Sequence, residues 1–185
     1  MRILIIAVER SGGFQLTKWL SWEMGYKPIH EPIMIPQSIE GDNIVVKYLI
    51  GEIKDKNNVD LTNWDKIIGL VRMDTYESAI SQTSALERKK WHEPYELSEK
   101  WIQNNVELIN KNEKVIKSNI DYLTGIKEIQ LFTTYDGIYH TKEDIQRIKD
   151  YIGIKNTKYE YLLDNKNRLR KKNKQNKKQE LLIYK

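Results

Sequence analysis

The sequence contains no cysteine, and its three histidines, His30, His92 and His140, lie far apart along the chain. Disulfide bonds and thiolate metal sites are therefore excluded, and the histidine spacing predicts no zinc site. No apolar run approaches the ~20 residues of a membrane-spanning helix, and the apolar stretch after Met1 is too short for a secretory signal. We therefore expect a cytoplasmic protein with no membrane span and no metal.

Acidic residues are scarce only near the carboxyl end of the chain. Residues 166–185 hold nine Lys/Arg against one acidic residue, Glu180, out of 31 Lys/Arg and 26 Asp/Glu in all 185 residues. The rest of the chain thus carries 22 basic and 25 acidic residues, so the net charge of +5 comes from this tail. We expect one domain over 1–164, a basic tail over 165–185 whose composition predicts mobility, and no general nucleic-acid-binding surface.

Short apolar segments alternate with helical patterns along the chain. The predicted strands are Ile3–Val8, Ile44–Leu49, Lys66–Val71 and Glu128–Phe132. The predicted helices are 14–24, 74–90, 95–118 and a segment capped by Thr141 that ends at Gly153, while residues 26–43, with three prolines, are predicted to be a loop. The continuously apolar strands are typical of burial on both faces. This alternation predicts an α/β fold with a central parallel sheet flanked by helices.

The segment Glu9-Arg10-Ser11-Gly12-Gly13 joins the first predicted strand to the first predicted helix. A helix amino terminus attracts anions, because it offers unpaired N–H groups and partial positive charge. The two glycines allow close backbone approach, Arg10 adds a guanidinium, and Ser11 adds a hydroxyl. The Gly-Lys-Ser/Thr ending of an ATP- or GTP-binding loop is missing. Taken alone, the segment fits an ordinary glycine turn equally well.

A second group of polar residues follows the third predicted strand. Arg72 comes directly after that strand, and Ser81 lies on the next predicted helix. Because ligands of parallel sheets bind at the carboxyl ends of the strands, we expect Arg72 and the glycine segment at one edge of the sheet. Two separated positive groups suit a ligand with two separated phosphates. The sequence also permits a surface salt bridge from Arg72 to Asp74 and an exposed helix serine at Ser81.

At these residues the sequence resembles the PAPS-dependent sulfotransferases, and most closely the bacterial branch that sulfates carbohydrates such as trehalose and related glycolipids. The similar elements occur in family order over residues 2–92: Arg10-Ser11-Gly12, Gly25, His30-Glu31-Pro32, Arg72-Met73-Asp74, Ala79-Ile80-Ser81 and Trp91-His92. The resemblance implies the P-loop-containing nucleotide-hydrolase-like fold of sulfotransferases. It also implies transfer of a sulfuryl group from PAPS (3′-phosphoadenosine 5′-phosphosulfate) to a hydroxyl or amine, with PAP as product and no metal. The acceptor would be a carbohydrate or another small metabolite.

The resemblance assigns the nucleotide-binding residues. The 5′-phosphosulfate would be bound by Arg10, Ser11, Gly12, Gly13, Phe14, Gln15 and Leu16. Arg72 and Ser81 would bind the 3′-phosphate, and Arg168 or Arg170 of the tail would close on it. A 3′-phosphate site in place of a triphosphate site would account for the missing lysine and serine of the ATP loop.

The resemblance also implies the catalytic residues. Glu31 is the expected general base, with His30 as a rival because its intrinsic pKa lies near neutrality. Arg10 would stabilise the charge that develops in the transition state. Lys47, at the end of the second predicted strand, is expected to approach the sulfuryl group, although exposed lysines are also ordinary at strand ends.

Phe14 departs from the family pattern, which places a hydroxyl residue after the loop glycine. A phosphate contact is then lost unless Gln15 or Thr17 replaces it. The departure keeps open a protein that binds PAP without catalysis.

Two functions outside the sulfotransferases are also open at the level of sequence. One is a small-molecule kinase, whose Walker lysine and Mg²⁺ ligand are missing from the sequence. The second is a nucleic-acid binder that uses the basic tail.

Four further residues are candidates for lining the acceptor site of a sulfotransferase: Trp91, His92, Tyr135 and Asp136.

Overall fold

The computed structural model describes residues 1–32, 36–54, 60–89 and 97–156. The strands are β1 (Arg2–Ala7), β2 (Lys27–His30), β3 (Ile44–Leu49), β4 (Lys66–Val71) and β5 (Leu131–Thr134). The helices are α1 (Gly13–Met24), α2 (Ile50–Lys54), α3 (Thr75–Arg88), α4 (Glu99–Asn104), α5 (Val106–Thr124), α6 (Tyr135–His140) and α7 (Lys142–Ile152), with a single 3₁₀ turn at Pro36–Ser38 among the described residues. The predicted tail 165–185 lies outside the described residues.

The five strands form one parallel sheet in the order β2-β3-β1-β4-β5. β1 lies in the middle because its residues Ile3–Ala7 are apolar on both faces, and all of them are fully buried. Ile5 of β1 lies between Lys47 of β3 and Ile68 of β4 in the register of the sheet. The predicted α/β class with a central parallel sheet is therefore confirmed.

Side chains of β1 alternate between two apolar layers, as the period of a strand requires. Ile3, Ile5 and Ala7 pack in one layer with residues of α1, α6 and α7. Leu4, Ile6 and Val8 pack in the other with residues of α3 and α5. Full burial of each large side chain contributes roughly 1.5–3 kcal/mol relative to exposure. Helices thus cover both faces, which leaves the loops at the strand ends to form a site.

The predicted loop over 26–43 is wrong in one part, because β2 lies inside it. Lys27 N–H donates to the Asn43 carbonyl at 2.9 Å, and Glu31 N–H donates to the Lys47 carbonyl at 2.9 Å. Pro28 does not prevent this pairing, since β2 is an edge strand that pairs only with β3. The predicted site residues His30 and Glu31 are therefore placed by the sheet.

The predicted helix over 95–118 is two helices, α4 and α5, and the second continues to Thr124. The break is at Asn105, which has φ −112° and ψ 10° and whose side-chain amide donates to the Trp101 carbonyl at 3.0 Å. Asparagine competes with helical hydrogen bonding in this way. The predicted strand over 128–132 is shifted, because β5 begins only at Leu131.

The helix ends predicted at Gly25 and Gly153 are confirmed. Gly25 and Gly153 follow α1 and α7 in the left-handed conformation, with φ 66° and 85°. The Thr141 hydroxyl accepts from Asp144 N–H at 3.3 Å and caps α7. The helix α6 was not predicted; the Thr134 hydroxyl caps it by accepting from Gly137 N–H at 2.9 Å. None of the helices in the described ranges is both long and apolar enough to cross a membrane.

Candidate functional site

The site is at the carboxyl edge of the sheet, between β1 and β4. From β1 the chain passes to β2 on one side of the sheet, and from β4 it passes to β5 on the other side. Parallel α/β proteins bind ligands at such a divergence, and this part of the sheet edge is called here the crevice. The crevice is flanked by the segment Val8–Gly12, called here the first loop, and by Arg72 after β4. The predicted common edge for Arg72 and the first loop is therefore confirmed.

The first loop turns sharply and leads into α1. Arg10 and Gly12 both have positive φ, at 61° and 84°. Ser11 is buried, and its hydroxyl donates to the Val8 carbonyl at 2.6 Å. The hydroxyl proton is thus used inside the loop, which makes Ser11 a residue that stabilises the turn.

Two N–H groups of the predicted series are used within the turn into α1. Gln15 and Leu16 N–H groups both donate to the Gly12 carbonyl, at 3.0 and 3.2 Å. Among the described residues, the N–H groups of Gly12 and Gly13 have no hydrogen-bond acceptor. These two donors, at the positive end of the α1 dipole, are suited to an anion. The Leu16 side chain is fully buried and belongs to the core.

Lys47 and Glu31 lie beside the amino end of α1. The Lys47 ammonium forms a hydrogen-bonded ion pair with the Glu31 carboxylate. A Cβ placed on Gly13 would lie 3.2 Å from Cδ and Cε of Lys47, so the lysine stem passes directly over this glycine. Lys47 is only 7% exposed, whereas the Glu31 side chain is 41% exposed. An exposed strand-end lysine is therefore excluded, and the lysine stem lies against the start of α1.

The Phe14 side chain, which departs from the family pattern, packs against the ring of His30. The two ring centroids are 4.5 Å apart, and the Lys18 ammonium lies 5.3 Å from the Phe14 ring centroid. Thr17 does not replace the missing loop hydroxyl, because it is fully buried and donates to the Gly13 carbonyl at 2.7 Å. Of the two predicted substitutes, only the partly buried Gln15 is left.

Arg10 and Ser81 are in direct contact across the crevice. Nε of Arg10 donates to Oγ of Ser81 at 2.8 Å. Ser81 is 4% exposed, so the interpretation of Ser81 as an exposed helix serine is wrong. The hydrogen bond joins the first loop to α3.

Arg72 lies over the ring of Tyr135, with its guanidinium carbon 4.8 Å from the ring centroid. Its salt bridge goes to Glu77 at 3.5 Å, and Asp74 instead caps α3 by accepting from Glu77 N–H at 2.9 Å. The predicted Arg72–Asp74 salt bridge is therefore wrong in its partner. A Cβ on Gly12 would lie 3.1 Å from Tyr135, which places this ring between Arg72 and the first loop.

Tyr139 is a site residue that the sequence did not indicate. Its ring lies 4.6 Å from that of Tyr135, and a Cβ on Gly12 would approach it to 2.9 Å. Burial, with a smaller contribution from Tyr135, raises the pKa of Tyr139. The available signal was the spacing of four residues between Tyr135 and Tyr139 in the segment after β5. In a helix this spacing places both side chains on one face.

Four predicted residues, Trp91, His92, Arg168 and Arg170, lie outside the described residues. In the described ranges no group of three or more His, Asp or Glu side chains is arranged to hold a metal ion. No protein-family model matches the chain, and no curated protein is significantly similar to it.

The arrangement gathers three cations at one sheet edge, together with the carboxylates of Glu31 and Glu77. Arg10, Lys47 and Arg72 supply positive charge, the glycine N–H groups supply directed donors, and Glu31 supplies a proton acceptor. Such a set can bind an anionic ligand and accept a proton beside it.

Proposed function

We propose that the protein is a sulfotransferase that moves a sulfuryl group from PAPS to a hydroxyl or amine of a carbohydrate or small metabolite, leaving PAP. The observation that carries the proposal is the Lys47 stem lying over Gly13, with Arg10 in the adjoining loop and no acceptor among the described residues for the Gly12 and Gly13 N–H groups. The sulfotransferase form of the P-loop fold is part of this proposal, and the parallel order β2-β3-β1-β4-β5 is compatible with it.

The source of the lysine supports a phosphosulfate over a triphosphate. An ATP loop carries its lysine at the start of the helix, where this chain has Gly13-Phe14. Here the ammonium comes from Lys47 on the neighbouring strand β3. A cation in this position can neutralise a 5′-phosphate and the sulfuryl oxygens bound at the end of α1.

Arg72 and Ser81 are the proposed ligands of the 3′-phosphate. The Tyr135 ring supports the Arg72 guanidinium. The salt bridge from Arg72 to Glu77 is weak competition, because the Glu77 side chain is 57% exposed. Arg72 is thus available to a phosphate that reaches the crevice.

The backbone at Arg10 and Glu31 also supports a functional site. Both residues have left-handed φ values, 61° and 46°. Such conformations cost roughly 1–3 kcal/mol each and cluster at active sites. The two strained residues are one predicted cation and the predicted base, and this coincidence supports the proposal.

In the proposed reaction the oxygen of the acceptor hydroxyl forms a bond to sulfur, and Glu31 accepts the proton of that hydroxyl. The bond between sulfur and the 5′-phosphate oxygen breaks, and its electron pair remains on PAP. Lys47, Arg10 and the glycine N–H groups stabilise the negative charge that collects there. Glu31 is reachable because its side chain is 41% exposed even while it pairs with Lys47.

A second candidate function is PAP binding without catalysis, which the packing of Phe14 against His30 favours. The missing hydroxyl and the inward hydrogen bond of Thr17 leave the phosphate with fewer ligands. Tight PAP binding with no transfer to any acceptor would select this candidate.

The proposal is tested by calorimetric titration of the full chain with PAP, ADP and ATP. We expect tight PAP binding and little ATP binding, because Arg72 requires a 3′-phosphate. Equal affinity for ADP and PAP, or no PAP binding, would overturn the proposal.

A further inference from the structure

Glu9, one residue before Arg10, is held by an asparagine from a distant helix. Nδ2 of Asn119 lies 3.1 Å from each of the two carboxylate oxygens of Glu9. Asn119 is on α5 and is only 3% exposed. A buried polar side chain is costly unless it is hydrogen-bonded, so this contact fixes the Glu9 side chain strongly.

The Glu9 carboxylate is also bounded by α2. A Cβ placed on Gly51 would lie 3.2 Å from a Glu9 oxygen and 3.7 Å from Nδ2 of Asn119. Glycine at this position therefore leaves the space in which the carboxylate and the amide meet. The pair lies behind the first loop, between α2 and α5.

Consecutive residues of the first loop are thus fixed to different elements. Glu9 is bound to α5 and Arg10 to Ser81 of α3, while Ser11 donates to Val8 within the loop itself. Because Arg10 has a left-handed φ of 61°, its neighbours must hold the backbone against relaxation.

We propose that Glu9 and Asn119 are positioning residues for anion binding by the first loop. They hold the backbone so that the Arg10 guanidinium and the Gly12 and Gly13 N–H groups face the ligand together. The inference rests on the proposed function, since it takes PAP as the ligand of this loop. Asn119 acts only through Glu9 and has no contact of its own with the ligand.

Asn112 provides a matched control. It lies on the same helix α5, and its Nδ2 donates to the Thr83 hydroxyl of α3 at 2.8 Å. Asn119→Ala and Asn112→Ala therefore each remove an asparagine amide that α5 uses to bond a residue outside the helix. Only the first bond leads to the first loop.

The experiment measures PAP affinity by calorimetry, Tm, and amide hydrogen exchange of residues 9–16 for both variants. We expect Asn119→Ala to weaken PAP binding by about tenfold or more and to speed exchange in residues 9–16, because small misplacements of binding groups are costly. Asn112→Ala should lower Tm about as much as Asn119→Ala does. It should leave the PAP affinity and the exchange rate of residues 9–16 near those of the unmodified protein.

Glu9→Gln keeps the test decisive if Asn119→Ala folds poorly. Glutamine retains a carbonyl acceptor for Asn119, so PAP affinity should stay within about threefold of the original value, whereas Glu9→Ala should match Asn119→Ala. The double variant Glu9→Ala/Asn119→Ala should be no weaker than either single variant, because the two residues act as one unit.

Equal PAP affinity and equal exchange in Asn119→Ala and Asn112→Ala would overturn the inference. So would a loss of affinity in Glu9→Gln as large as that in Glu9→Ala. If the unmodified protein binds no PAP, the proposed function fails, and the exchange comparison alone then decides whether the pair positions the loop.

Discussion

Arg72 is the single residue best placed to distinguish a nucleotide with a 3′-phosphate from one without it. It lies on the Tyr135 ring at the crevice edge. Arg72→Ala should weaken PAP binding about 10- to 100-fold, since hydrogen bonds to charged groups contribute roughly 1.5–3 kcal/mol. Binding of adenosine 5′-phosphate should change little, and calorimetric titration with both nucleotides measures the difference.

Arg147→Ala is the control for the charge change. Arg147 is an exposed arginine of α7 that pairs with Asp144 at 2.8 Å. The Arg147→Ala variant should leave the affinities for PAP and for adenosine 5′-phosphate unchanged. If Arg72→Ala lowered the affinities for PAP and adenosine 5′-phosphate equally, Arg72 would have no specific role at the 3′ position.

Glu31 is the residue on which the proposed proton transfer depends. Glu31→Gln keeps the size of the side chain but removes the basic carboxylate, so transfer of labelled sulfuryl group from PAPS should fall by about 10²- to 10⁴-fold. PAP affinity should survive, because Lys47 stays beside Gly13. Labelled transfer is measured with a panel of sugars and hydroxylated metabolites as acceptors.

His30→Gln separates the two predicted bases. The His30 ring packs against Phe14, and Glu31 is the partner of Lys47. We expect His30→Gln to retain most of the transfer activity. Full activity in Glu31→Gln together with lost activity in His30→Gln would assign the base to the histidine.

The turn into α1 is the element whose geometry most restricts the sequence. Gly12 has φ 84°, and a Cβ there would lie 2.9 Å from Tyr139 and 3.1 Å from Tyr135. Gly25, at the other end of α1, has φ 66° and nothing within 4 Å of a Cβ. The two glycines share the backbone requirement but differ in their surroundings.

Gly12→Ala should therefore destabilise the protein more than Gly25→Ala. The left-handed backbone costs each variant roughly 1–2 kcal/mol. Crowding against the two tyrosine rings should add roughly 1–3 kcal/mol to Gly12→Ala alone. Urea unfolding measures the free energy of unfolding of both variants. Equal losses of stability in Gly12→Ala and Gly25→Ala would mean that the tyrosine rings move aside without cost.

Elements with strong local signals were predictable from the sequence, and those decided by distant contacts were not. The buried apolar strands indicated the parallel sheet, and Gly25 and Gly153 indicated two helix ends. β2 was missed because prolines predict a loop, whereas an edge strand has no need of every N–H. The break at Asn105 depends on one side-chain hydrogen bond that no periodicity reports.

The same distinction applies to the candidate site. The residue types and their common sheet edge followed from the order of strands and loops. The pairing of Lys47 with Glu31 could not be predicted, because it depends on β2 lying beside β3. The contact of Arg10 with Ser81 likewise depends on how α3 packs, since the two residues are 71 positions apart.

For the molecule as a whole, three buried or partly buried tyrosines make its stability depend on pH in the alkaline range. Burial, with Glu52 as a smaller cause, raises the pKa of Tyr48 to about 12. Burial also raises the pKa of Tyr139 and that of Tyr151. In the unfolded chain a tyrosine has a pKa of about 10, so above that pH the unfolded state binds fewer protons than the folded state.

The free energy of unfolding should therefore be unaffected by these groups below about pH 10 and should fall above it, by up to about 1.4 kcal/mol per pH unit for each tyrosine. Urea unfolding over this range, followed together with tyrosinate absorbance, measures the slope. Tyr48→Phe should make the slope shallower. An unchanged slope in that variant would show that Tyr48 ionises in the folded protein as readily as in the unfolded one.

The edge position of β2 has a consequence for how the molecule meets others. Lys27 and Glu31 donate their N–H groups to β3, and the alternation of a strand assigns Ile29 to the same side. Pro28 falls on the outward side, where a proline has no N–H to offer. The margin of the sheet at β2 is thus short and carries a proline on its outward side, so a second chain finds little there to pair with and begin aggregation.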